Sequence, residues 1–286
     1  MYRSSNLRQR VTPRSPASSG GCIRIGLALV LVAIAVISFL GSKQFNPVTG
    51  EDQYVSMTQD QEIAMGLQAA PEVEAQFGGL EPNPDYATVV GEIGRTLAQG
   101  SIADSSGYPF EFHVLADPQT VNAFALPGGQ VFVTRGLMDR METEGQVAGV
   151  LGHEIVHVLA RHSSEQIAQM ELTEGITGAV IIASYDPENP SSQQAAQMAL
   201  LVGQLVNMKF GRDDELEADA LGVRLLADAG YDPRALIDVM QILAEGSAAR
   251  PPEFFSTHPN PDNRILQIEE AIQTVYPDGV PAGLIP

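Results

Sequence analysis

The stretch Leu151 to His162 contains His153-Glu154-Ile155-Val156-His157. At 3.6 residues per turn the two histidines lie one above the other on one helix face, close enough for both imidazoles to bind a single cation. Glu154 lies one position round from the first histidine. A carboxylate there reaches a water beside the cation rather than the cation itself, the placement a general base needs. The chemistry on offer is hydrolysis at a zinc centre, one ion per chain, but two imidazoles need a third ligand. Cys22 is the single cysteine, so the chain can form neither an internal disulfide nor a cysteine-based zinc site. The third ligand must be His, Asp or Glu.

One known arrangement places that ligand as Gly-x-x-His directly downstream. The equivalent positions here are Ala160 and Ser163, and His162 is out of register. The alternative is a carboxylate from a second helix. Arg212 to Gly222 supplies Glu215 and Asp219 at i, i+4 spacing, so one face offers both. Glu215 then completes the coordination, and Asp219 accepts the outer N–H of a ligand histidine and fixes its tautomer. Glu217, two positions from Glu215, falls on a different face and is expected in solvent.

The elements that must hold these residues follow from punctuation and periodicity. Thr143 and Gln146 fit a capping box just before the apolar run Val147 to Leu159, which puts the motif well inside a helix. Residues 58–78 and 84–100 read as two amphipathic helices. The segment Pro109 to Asp117 alternates as a strand, and Val121 to Leu126 turns at Pro127-Gly128-Gly129 into Gln130 to Thr134, the pattern of a hairpin or of paired edge strands. Helices are expected from about Ser192 to Ala229, after Pro233, and from Asn260 to Val275. Tyr185 to Ser192 reads as a candidate lid, Ala195 to Phe210 as core or groove lining, and Gly175 to Ala183 as a buried helix turn. The fold class is therefore α+β, mainly helical with a small sheet.

Of the net charge of -19, residues 1–43 contribute +6 with no acid, leaving about -25 for the rest. So acidic a surface repels phosphate backbones, and nucleic acid is not expected as a partner. Ile25 to Gly41 is an uncharged apolar run of 17 residues behind an arginine-rich leader. It closes on no small-x-small cleavage site, and Cys22 precedes it, so a retained signal anchor is expected. The arginines then stay in the cytoplasm and the acidic domain lies across the membrane, in the periplasm of a bacterium. This divides the chain into a basic leader 1–24, a transmembrane anchor 25–41, a linker 42–57 and a domain 58–286.

His153 to His162, Glu215 to Asp219 and Phe254 to Ile265, with Asn122 to Leu137 before them, resemble the zinc metallopeptidase family of the CAAX prenyl endopeptidases, HtpX and the periplasmic β-barrel assembly-enhancing proteases. The resemblance covers most of 58–275. Its pattern, His-Glu-x-x-His followed by Glu-x-x-x-Asp, implies a zincin-type fold, zinc on His153, His157 and Glu215, and catalysis by Glu154. It also implies substrate contacts at Asn122 and Ala123 and a position for His258 facing the zinc. There His258 is either a latch that occupies the fourth coordination position or a donor to the oxyanion, with Arg264 a second candidate for the latter. The implied activity is endoproteolysis of unfolded or misassembled envelope proteins at the inner membrane; the rival is a non-catalytic zinc-binding scaffold or chaperone. Up to Pro286 no helical-repeat domain is present and only one span is found, so recruitment through repeats and lipidated substrates are not expected.

Two further histidines are read as structural. His113, on a strand, is expected to be an exposed side chain. His162 is expected to stabilise the end of the motif helix through the helix dipole.

Overall fold

A computed structural model describes residues 19–184, 211–245, 254–258 and 263–286. The expected lid and the helix Ala195 to Phe210 lie outside the described residues.

The first helix, α1 (Ser19–Gly41), contains the 19-residue apolar segment Ile23–Gly41, long and apolar enough to cross a membrane. It begins six residues before the expected anchor. The expected linker is in part folded: β1 (Lys43–Phe45) pairs antiparallel with β2 (Asp52–Tyr54). Two helices follow, α2 (Gln59–Gln76), started by a Thr58–Gln61 capping box, and α3 (Pro84–Gln99), started by Asn83 with Pro84 at its first position.

The sheet holds β3 (Glu111–Leu115), β4 (Ala123–Leu126) and β5 (Gln130–Thr134) in the order β3-β5-β4. The β4–β5 pair is the expected hairpin, and β3 runs parallel to β5 on its other side. Every residue of β5 is buried, as a central strand rich in Val requires. The far face of this sheet is covered too, by Ala70 of α2 packing with Leu115 and Phe132. His113 is consequently not exposed: its ring stacks on Phe132 at 4.9 Å and its Nε2 lies 2.9 Å from Gln130 Oε1. Alternation along one strand cannot reveal a second layer.

After the single turn α4 (Arg135–Met138) comes α5 (Glu144–Leu159), which carries the motif. Its capping box is Thr143 with Gln146, and it is buried nearly all round, because α3, the sheet and two later helices enclose it. These are α7 (Gly211–Asp228) and α8 (Ala235–Glu245). Gly152 of α5 lies against Gly222 of α7, where an added Cβ would come within 3.7 Å of the His153 backbone. That near-bare crossing lets α7 bring its carboxylates up to His153.

Between them α6 (His162–Ser184) runs along α1, and a groove of about 420 Å³ separates the two. Its end, Gly175 to Ala183, is not a buried turn but part of this long helix: Thr177 and Ala179 are buried, whereas Ile176 and Val180 are exposed among the described residues. The short helix α9 (Phe254–Thr257) and α10 (Arg264–Val275) follow.

Candidate metal centre

His153 and His157 project from α5 with their Nε2 atoms 3.1 Å apart. Glu215, from α7, places Oε2 at 3.3 Å from His153 Nε2 and Oε1 at 3.3 Å from His157 Nε2. His258, just beyond α9, brings Nδ1 to 2.9 Å from Glu215 Oε1 and 3.4 Å from His153 Nε2. One donor atom from each of these four side chains falls within 4.8 Å of all the others.

The outward nitrogens are engaged elsewhere. His153 Nδ1 lies 2.9 Å from Asp219 Oδ1, and His157 Nδ1 lies 2.8 Å from His162 Nδ1. With those positions taken, both inward Nε2 atoms face one point, where each offers a lone pair once any proton on it is displaced. Glu215 Oε2 is buried there without a hydrogen-bond partner. Two converging imidazoles and an orphaned carboxylate oxygen fit a single cation, and the nitrogen and oxygen donor set suits zinc.

Electrostatics favour the same chemistry. Burial pushes His157 well below its ordinary value, reinforced by His153 and His162, so its imidazole is neutral as a ligand must be. Burial also acts to lower His153, but Glu215 and Asp219 outweigh it and lift it to about 9. Burial would raise Glu215; the surrounding histidines overcome this and hold it far below the carboxylate range. Burial raises Glu154, whose Oε1 has no hydrogen-bond partner and lies 3.4 Å from His258 Nε2. A buried carboxylate with a raised pKa accepts a proton readily.

Arg264 is fully buried and faces the carboxylates. Its Nε donates to Asp219 Oδ2 at 2.6 Å and its Nη2 to Asp219 Oδ1 at 2.9 Å, while Nη1 stands 3.1 Å from Glu215 Oε2 without hydrogen-bond alignment. The guanidinium thus braces Asp219 through Nε and Nη2, while Nη1 is buried beside Glu215 without a hydrogen-bond partner. Asn122 and Ala123 are buried at the start of the edge strand β4, where the Ala123 carbonyl lies 3.3 Å from His258 Nε2.

Two residues read as bland belong to this cluster. His162 does not end the motif helix; it opens α6, is buried, and joins His157 to Glu217, whose Oε2 is 2.9 Å from His162 Nε2. Glu217 is accordingly half-buried and bonded. The turn at Arg161, with φ of 60°, redirects the chain so that His162, five positions beyond His157, comes back over the motif. Nothing in the helical period signals that turn.

The match to peptidase family M48 covers residues 84–272. The mitochondrial metalloendopeptidase OMA1 of Schizosaccharomyces pombe is 32% identical over 243 residues, 84% of this chain and 69% of the relative. The β-barrel assembly-enhancing proteases of Yersinia pestis and Escherichia coli K12 are 30% and 27% identical, over 83% and 88% of this chain. The chain spans about half the length of these two bacterial relatives, 49% and 52%. Likeness of this extent defines a metallopeptidase. The chain belongs to peptidase family M48.

Proposed function

We propose that this chain is a zinc-dependent endopeptidase anchored by α1 in the bacterial inner membrane, with its catalytic domain in the periplasm, hydrolysing unfolded or misassembled envelope proteins. His153, His157 and Glu215 hold the zinc, and Asp219 fixes the His153 tautomer. The bound ion supplies a Lewis acid that polarises the scissile carbonyl and acidifies water. Glu154 takes the proton of the attacking water and delivers it to the leaving amine. An extended substrate pairs by backbone with the edge strand β4 near Asn122 and Ala123, a mode that tolerates many sequences and suits unfolded chains.

The observation that carries the enzyme reading is the buried Glu154 Oε1, without a hydrogen-bond partner beside the converging ligands. A scaffold that merely held zinc would gain nothing from an orphaned carboxylate oxygen, which costs about 1–3 kcal/mol. His258 acts as a latch: it lies among the ligand atoms and also engages the Ala123 carbonyl, so substrate entry requires its withdrawal.

Glu154→Gln should retain one zinc per chain while casein hydrolysis falls at least about a hundredfold. Cleavage near the wild-type rate would refute the mechanism. Glu215→Gln should lose most of the metal in the same assay.

A further inference from the structure

We propose that His162 and Glu217 form a relay that orients the His157 ring for the metal. This rests on the reading of His157 as a ligand and adds two positioning residues to the site.

The chain of contacts has a single consistent direction. Glu217, as a carboxylate, only accepts, so His162 Nε2 at 2.9 Å carries the hydrogen. With its one ring hydrogen on Nε2, His162 presents a bare Nδ1, and the hydrogen in the 2.8 Å contact comes from His157 Nδ1. His157 Nε2 is left with its lone pair toward Glu215 and His153. One acceptor two rings away therefore selects the tautomer that can bind a cation. Asp219 does the same for His153 directly.

The sequence builds this relay from two faces of α7. Glu215 and Asp219 fall on one side, toward α5, whereas Asp214 and Glu217 fall on another, toward α6. There Asp214 accepts from Gln166 at 3.4 Å, alongside the Glu217 contact to His162. On an uninterrupted helix His162 would stand about 140° round from His157, out of reach. Arg161 in the left-handed region supplies the turn, a conformation costing of order 1 kcal/mol for a non-glycine residue. Its guanidinium offsets this through bonds to Glu62 at 2.9 Å, Gln44 at 3.0 Å and the Met57 carbonyl at 2.7 Å.

The test is zinc affinity of the full chain in detergent, read by competition with a chromophoric chelator, together with the visible spectrum of the cobalt-substituted protein. His162→Ala and Glu217→Leu should weaken zinc roughly 10–100-fold and shift the cobalt bands. Glu217→Gln should stay within about threefold of wild type, because its amide oxygen still accepts from His162. His162→Asn, whose side-chain oxygen can take the hydrogen from His157, should recover part of the loss. The relay is overturned if His162→Ala and Glu217→Leu bind zinc like wild type with unshifted bands while His157→Ala loses the metal. It is equally overturned if Glu217→Gln fails as badly as Glu217→Leu, which would make charge the cause and not orientation. Undiminished zinc in His157→Ala would instead remove the ligand assignment beneath it.

Discussion

Glu215, Glu217 and Asp219 lie within five positions on α7, yet they serve different parts of the cluster: Glu215 meets the inward nitrogens of His153 and His157, Asp219 the outward nitrogen of His153, and Glu217 His162. The pair at i, i+4 was legible, because helical spacing alone puts Glu215 and Asp219 on one face, as it does His153 and His157. The contact of Glu217 was not, since it depends on the turn at Arg161 and on how α6 meets α7. His153 gives this scale a pH test. Held at about 9 by Glu215 and Asp219 against burial, it carries a proton at neutral pH that a cation must displace. Apparent metal affinity should therefore rise with pH, by up to about tenfold per unit, and level off above pH 9. Asp219→Asn should move that break to lower pH, and chelator titrations across pH check it; an unmoved break would refute the part given to Asp219. His258→Ala should raise basal casein cleavage or cause self-cleavage. A fall in turnover with unchanged zinc would instead assign His258 to the oxyanion.

At the scale of the element, α5 is secured at both ends. Its start was legible as a capping box, and Thr143→Ala should cost about 1 kcal/mol in denaturant unfolding. Its end was not legible, because the partners come from more than a hundred residues away. Asn46 Nδ2 donates to the Leu159 carbonyl at 2.9 Å and Gln53 Nε2 to the Ala160 carbonyl at 2.7 Å, satisfying groups a helix end otherwise leaves bare. Asn46→Ala should destabilise the domain by about 1–3 kcal/mol, since it leaves that buried carbonyl unpaired. A loss well under 0.5 kcal/mol, by the same unfolding assay, would show the end of α5 to be held by packing alone. The hairpin β4–β5 was readable from Pro127-Gly128-Gly129, but the parallel partnership of β3 with β5 was not: strand order is set by which faces the helices cover.

For the whole molecule, the charge asymmetry and the apolar run of α1 predict that a tag after Pro286 is reached by protease from the periplasmic side while the full-length chain stays with the inner membrane. Soluble protein beginning near Ser42 would establish a cleaved signal instead. Only four residues separate Gly41, where the apolar run ends, from Asn46, five steps along the chain, which grips the helix two residues beyond His157. Extended chain covers at most roughly 17 Å in that distance, so with α1 in the membrane as proposed, the site around Glu154 stands within roughly 25 Å of the lipid surface. The short hairpin therefore works as a gauge of altitude: a polypeptide is in range where it emerges from the bilayer and out of range once its vulnerable stretch stands well clear. In a series of membrane-tethered substrates with the same sequence set at increasing distance from the span, cleavage should fall away beyond about that height, and a rigid helical insert after Gly41 should raise the cut-off by the length added, about 1.5 Å per residue.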